Sequence, residues 1–194
     1  MRIGIMLFEG MEELDFAGPW EVLSAWSRLH PEAGIEVIAV ADELGPISCA
    51  MGLRILPDKT WAEAGPLDVL VLPGGRGSDR QLEEPALLQR LQELSEAGTL
   101  MTSVCSGALV FAQAGLLANR PATTHWSDLD RLRAISPTSN VQPEARFLDS
   151  GSIVTAAGVS AGIDMALHLV ARLDSIEVAR EVRRYIQYEP APPV

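Results

Sequence analysis

Cysteine, basic charge and long apolar runs are all scarce in this chain of 194 residues. Two cysteines, Cys49 and Cys105, allow one bridge at most, which excludes a disulfide-dense secreted scaffold. Basic residues number 15 against 26 acidic ones, for a formal charge of -11. That balance excludes nucleic acid and anionic membrane surfaces as expected partners, because both attract basic patches. No apolar run reaches the roughly 18 residues of a membrane span. The opening run Met1–Phe8 is too short for the apolar region of a signal peptide. A cytoplasmic location with reduced, free thiols is therefore expected. The three histidines, His30, His125 and His168, are scattered, and no Cys/His spacing suits zinc, so no metal is expected. There is no internal repeat, low-complexity tract or linker. A single domain over residues 1–194 follows, long enough to bury roughly 70% of its unfolded surface without staples.

What is present is an alternation of strand and helix. Arg2–Phe8, Ile35–Ala41, Val69–Leu72 and Leu100–Val104 are short continuous apolar runs of the kind that form buried parallel strands. Ile47–Cys49 and Leu53–Leu56 suit short strands around a turn at Met51-Gly52. Gly18-Pro19 suits a helix start, with Trp20, Val22, Leu23 and Trp26 on one face, which leaves Asp15 in a strand-to-helix loop. Pro85–Ala97 carries a leucine stripe and stops at Gly98; a further helix runs to about Ala114 and stops at Gly115. Ala122–Thr124 suits a short strand, and Ser127–Asp130 resembles a capping arrangement before a short helix. Ala145–Leu148 and Ser152–Thr155 read as a hairpin, Ser160–Leu173 and Ser175–Ile186 as helices, and Pro190–Val194 as a proline-rich tail. The pattern gives an α/β fold with helices on both faces of a mostly parallel sheet. Ligands in such sheets bind at the carboxyl ends of the strands. Three loops leave those ends: the ones carrying Asp15, Gly74-Gly75 and Cys105.

Cys105 ends an apolar run and is followed by Ser106, Gly107 and a helix-forming stretch. That junction is a nucleophile elbow, which holds a side chain over a helix N-terminus. The dipole and free N–H groups there favour a thiolate, so a lowered thiol pKa is expected. The N–H of Ser106, with a second from Gly75 or Arg76, would form an oxyanion hole. Asp15 suits either a general acid/base near the sulfur or a cap on the next helix. His125 could orient or protonate a substrate, or serve only structurally beside Trp126, which is a candidate pocket wall. Cys49, in a strand without an elbow, reads as packing.

Ile3–Phe8, Leu14–Pro19, Val71–Gly75, Thr102–Gly107, Ala114–Leu117, Ala122–Trp126 and Thr155–Asp164 together resemble the DJ-1/PfpI superfamily across nearly the whole chain. Within it, Leu14-Asp-x-x-Gly-Pro19, Thr102-Ser-Val-Cys105, Ala122-Thr-Thr-His-Trp126 and Tyr188–Pro193 resemble isonitrile (isocyanide) hydratases. The resemblance implies a flavodoxin-like sandwich, usually a homodimer acting on a small-molecule substrate. It implies Cys105 as nucleophile, Asp15 as carboxylate partner, and addition of water to an isocyanide without a cofactor. Two departures qualify it. The hydratases carry threonine where this chain has Ser106. Cys105-Ser-Gly-Ala108 with Thr123-Thr-His-Trp126 also resembles the sensor domain of AraC-type regulators. A chain that is acidic and stops at Val194 is not expected to be a complete regulator. Glyoxalase or deglycase chemistry and a redox or small-molecule sensor are the alternative functions.

Overall fold

The computed structural model describes residues 1–190. Its strands are β1 (Arg2–Met6), β2 (Glu36–Ala41), β3 (Ile47–Ser48), β4 (Arg54–Ile55), β5 (Lys59–Thr60), β6 (Val69–Leu72), β7 (Leu100–Val104), β8 (Pro121–Ala122), β9 (Asn140–Val141), β10 (Phe147–Asp149) and β11 (Ile153–Ala156). Its α-helices are α1 (Glu13–Leu29), α2 (Trp61–Ala64), α3 (Ser78–Gln81), α4 (Pro85–Glu96), α5 (Gly107–Gln113), α6 (Leu129–Ile135), α7 (Ala161–Leu173) and α8 (Ile176–Tyr185).

Seven strands form one sheet in the order β10-β11-β7-β6-β1-β2-β5. Every pairing in it is parallel except β10 with β11. The central strands are covered on both faces; β6 is apolar throughout, and β7 carries buried Thr102 and Ser103 among its apolar residues. Val69–Leu72 and Leu100–Val104 are buried at every position. Helices α1, α7 and α8 pack together, as do α3, α4, α5 and α6 around α5. The chain leaves β1 for β2 on one side, then returns to β6 on the other. This reversal makes a topological switch point between β1 and β6, where open α/β sheets form a ligand crevice.

Three local expectations are corrected. Helix α1 begins at Glu13 rather than at Gly18-Pro19, so Asp15 lies in its first turn and Pro19 inside it. Proline removes one N–H from the helix ladder. Packing overrides that cost: Gly18 and Pro19 are buried, and a Cβ on Gly18 would meet Ile163 of α7 at 2.9 Å. Acidic Glu13 and Asp15 also suit a helix N-terminus. Secondly, Thr123 and Thr124 leave the strand after Ala122 and turn inward. Thirdly, Asp128, the residue before α6, makes no side-chain cap; His125 Nδ1 instead accepts from the Ser127 N–H at 3.3 Å. Beyond Pro190 the proline-rich tail lies outside the described residues.

Candidate active site

Cys105 follows β7 directly with a φ of 56°, in the left-handed region that a side chain rarely adopts. Neighbouring groups hold it there. Its N–H donates to the carbonyls of Ala156 (3.2 Å) and Ala157 (2.9 Å). Its carbonyl accepts from buried Thr124 Oγ1 at 2.7 Å. Two glycines let the end of β6 press against the turn. A Cβ on Gly74 would lie 2.5 Å from Ser106 N, and one on Gly107 would lie 2.4 Å from the Leu72 carbonyl oxygen. The strained conformation is thus fixed from three sides, as is usual where a nucleophile must be aimed.

Asp15 is fully buried. It does not cap its helix. Its Oδ2 accepts the Gly74 N–H at 2.8 Å, while the Glu12 N–H donates to the Gly74 carbonyl at 2.9 Å. These two bonds tie the loop after β1 to the loop after β6. The other carboxyl oxygen, Oδ1, is buried without a formed hydrogen bond. Burial pushes the Asp15 pKa up to about 7; the Gly74 N–H opposes the rise, Glu12 adds to it, and the nearby Cys105 thiol opposes it. The sulfur acts on this carboxyl, although Oδ1 has no hydrogen bond in regular geometry.

The expected lowering of the Cys105 pKa is overturned. Burial pushes the thiol up to about 12, the charge of Asp15 pushes further, and the Ser106 N–H opposes both. Cys105 is only 7% exposed, so a thiolate there loses most of its hydration. Helix α5 is seven residues long, and the N–H groups at its start do not offset that loss. The resting sulfur is a thiol beside a carboxyl that titrates near neutrality.

Ser106 is anchored on the glycine-rich loop. Its Oγ accepts the Gly75 N–H at 2.9 Å and lies 3.0 Å from the hydroxyl of buried Ser78. The Gly75 N–H is therefore engaged and does not face a substrate. The Arg76 N–H has no acceptor among the described residues.

A cleft of about 220 Å³ opens over the sulfur, lined by Cys105, Ser106, Gly75, Arg76, His125 and Val159, with Glu12, Asp79, Asp128 and Arg131 also in its wall. The Ser127 N–H donates to His125 Nδ1, so a neutral ring carries its proton on Nε2. Trp126 is 76% exposed and does not line the cleft; its ring centroid stands 5.3 Å from that of His125. Sequence reading brought Cys105, Asp15, Arg76, Ser106 and His125 to one place but missed the charged rim. Asp79 belongs to α3, and Arg131 comes from α6, so no local spacing links them. Val159, with a φ of 49°, is a β-branched residue in a strained turn that sequence preference does not indicate. Among the described residues no cluster of three His, Cys, Asp or Glu side chains is arranged to hold a metal.

Known proteins are similar to this chain over most or all of its length. Isonitrile hydratase of Pseudomonas putida is 35% identical over 194 residues, covering 100% of this chain and 81% of that protein. The HTH-type transcriptional regulator CdhR of Pseudomonas aeruginosa is 30% identical over 177 residues, covering 91% of this chain but 52% of the regulator. A solved ThiJ/PfpI family protein from Pseudomonas syringae superposes with a TM-score of 0.88 at 31% identity, covering 100% of this chain and 77% of that one. The DJ-1/PfpI family model matches residues 1–172. With the elbow, the switch-point carboxyl and this full-length similarity in agreement, the chain belongs to the DJ-1/PfpI family.

Proposed function

We propose that this protein hydrates small isocyanides to N-substituted formamides, with Cys105 as nucleophile and Asp15 as general acid and base. The observation that carries the reading is the buried Asp15 carboxyl beside Cys105, raised to about 7. Near neutral pH it holds a proton in some molecules and lacks it in others, as a group that must both take and give protons requires. The sulfur, raised to about 12, keeps its proton until a base removes it. Similarity to isonitrile hydratase supports the same chemistry.

The proposed steps balance without a cofactor. The Asp15 carboxylate takes the thiol proton as Sγ attacks the terminal isocyanide carbon, forming a carbon–sulfur bond. Neutral Asp15 then protonates that carbon, giving a thioimidate, R–N=CH–S–Cys105. Water adds to the same carbon, with one water proton reaching nitrogen through Asp15. The tetrahedral adduct loses the carbon–sulfur bond, returns a proton to the thiol and leaves as R–NH–CHO. The N–H groups of Ser106 and Arg76 and the His125 Nε2–H are the proposed donors to substrate. Ser106 lacks the methyl group that restricts a threonine rotamer, and its bonds to Gly75 and Ser78 supply that restriction instead.

The test is direct. Cyclohexyl isocyanide is incubated with the protein and the formamide is followed by NMR. Product from the wild type but not from Cys105→Ala supports the reading, and equal traces from both sink it. A reducing cytoplasmic setting and a homodimer complete the proposal. The surface offered to a second copy is the β3–β4 hairpin, where Met51, Leu53 and Leu56 are exposed. Light scattering reads the mass, and Met51→Glu with Leu56→Glu should reduce a dimer to monomer.

A further inference from the structure

Five charged side chains line the cleft over Cys105: Glu12, Asp79 and Asp128 against Arg76 and Arg131. One net negative charge remains, and its placement matters more than the sum. Arg131 is engaged by two carboxylates, in ion pairs with Asp79 and, at 3.1 Å, with Asp128. Arg76 acts on Glu13 and shares the cleft wall with Glu12. The side chains that act on the sulfur by charge are Asp15 and Asp128, both acidic. The chain as a whole carries -11. A half-enclosed cleft with low-dielectric walls focuses such a field.

We infer that this cleft selects by charge: neutral and cationic small electrophiles reach Cys105, while carboxylate-bearing ones are turned away, with Glu12 and Asp128 as specificity-determining residues. For turnover, the inference rests on the proposed hydratase activity and names its substrate class, uncharged or amine-bearing isocyanides rather than isocyano-carboxylates. For access to the sulfur, it stands without that activity.

The experiment has two arms. In the first, Cys105 of the wild type is alkylated at low salt by iodoacetamide or iodoacetate, with peptide mapping to separate Cys105 from Cys49. The ratio of the two rates is compared with the same ratio for 2-mercaptoethanol, a neutral thiol. Cys105 should favour iodoacetamide about tenfold more than 2-mercaptoethanol does, the factor produced by one like charge roughly 8 Å away at an effective dielectric constant of about 30. In the paired variant Glu12→Gln with Asp128→Asn, whose cleft side chains carry one net positive charge, the ratio should fall to or below that for 2-mercaptoethanol, and in ~1 M salt the wild-type ratio should fall to within about twofold of it. A wild-type ratio equal to that of 2-mercaptoethanol, or one favouring iodoacetate, overturns the inference. Failure of both reagents to reach Cys105 overturns it together with the hydratase reading. The second arm compares kcat/KM for methyl isocyanoacetate and the isocyanoacetate anion. The ester should exceed the anion at least tenfold, and equal values overturn the inference. If neither the ester nor cyclohexyl isocyanide is hydrated while the alkylation ratio stands, the hydratase reading fails and the charge selection survives.

Discussion

The two cysteines occupy similar electrostatic surroundings. Both are buried and free. Burial pushes the Cys49 thiol up to about 11, with Glu13, Glu9 and Glu12 adding to it, much as burial and Asp15 raise Cys105. Backbone and access separate them. Cys49 directly follows β3, with its N–H donating to the Leu53 carbonyl at 2.8 Å, an ordinary hairpin contact. Cys105 sits on a left-handed turn at the switch point, under a cleft, beside a carboxyl that can accept its proton. A raised thiol pKa therefore does not separate the proposed nucleophile, Cys105, from Cys49. A base within reach and a route for substrate do.

Removing each sulfur should break the comparison most sharply. Cys105→Ala is expected to abolish isocyanide hydration, while Cys49→Ala keeps turnover within about twofold and costs about 1 kcal/mol of stability by denaturant unfolding. Equal losses of turnover would erase the distinction.

Asp15→Asn comes next. It should lower kcat/KM by about 10²- to 10⁴-fold, the usual contribution of a positioned acid or base. In the wild type, kcat/KM should fall as pH drops through about 7, because attack needs the Asp15 carboxylate. A lower limb near pH 4 would remove Asp15 as the base.

Stability should move the opposite way. The folded-state pKa of Asp15 lies above its unfolded value of 3.8. Protonation is therefore favoured in the folded state. The Asp15 contribution to stability is fullest below the unfolded pKa and declines as pH rises from about 4 to 7, by about 4 kcal/mol in all. Asp15→Asn should be more stable than wild type at pH 8, by up to about 4 kcal/mol, and no more stable at pH 4. Thermal melts at both pH values check the sign.

Two backbone tests have smaller expected effects. Gly74→Ala should cost at least about 2 kcal/mol, because its Cβ would meet backbone nitrogen at 2.5 Å with nothing flexible to yield. Ser106→Ala should cost about 1 kcal/mol by freeing the Gly75 N–H. Denaturant unfolding of each variant against wild type reads both.

Much of the frame was legible in the chain. Val69–Leu72 and Leu100–Val104 were bounded correctly because a strand covered on both faces is a short, uncharged and mostly apolar run, in which β7 admits only the small hydroxyl side chains of Thr102 and Ser103. The elbow was legible because strand, cysteine, small residue, glycine and helix follow without a gap. The short elements β5, α2, α3 and β9 carry too few residues for periodicity to show. Trp20 and Trp26 illustrate the limit on surfaces. Trp26 is buried, with its Nε1–H donating to Asp174 Oδ2 at 3.0 Å, and Trp20 is half-buried, stacked on Phe16, so neither is a free docking face.

By itself, then, the sequence determined an α/β sheet, the strand end that presents Cys105, and an Asp15 near the same end, since these follow from local pattern and chain order. Tertiary structure decided the rest. It extended α1 through Pro19, because packing on α7 outweighs one lost hydrogen bond. It took the Gly75 N–H for Ser106 and moved Trp126 out of the cleft, because hydrogen-bond partners and exposure depend on neighbours far away in the chain. Above all it reversed the expected charge state of the sulfur. Helix-start geometry is written locally, but the desolvation that keeps Cys105 a thiol and lifts Asp15 to about 7 arises only when β1, β6 and β7 close around them.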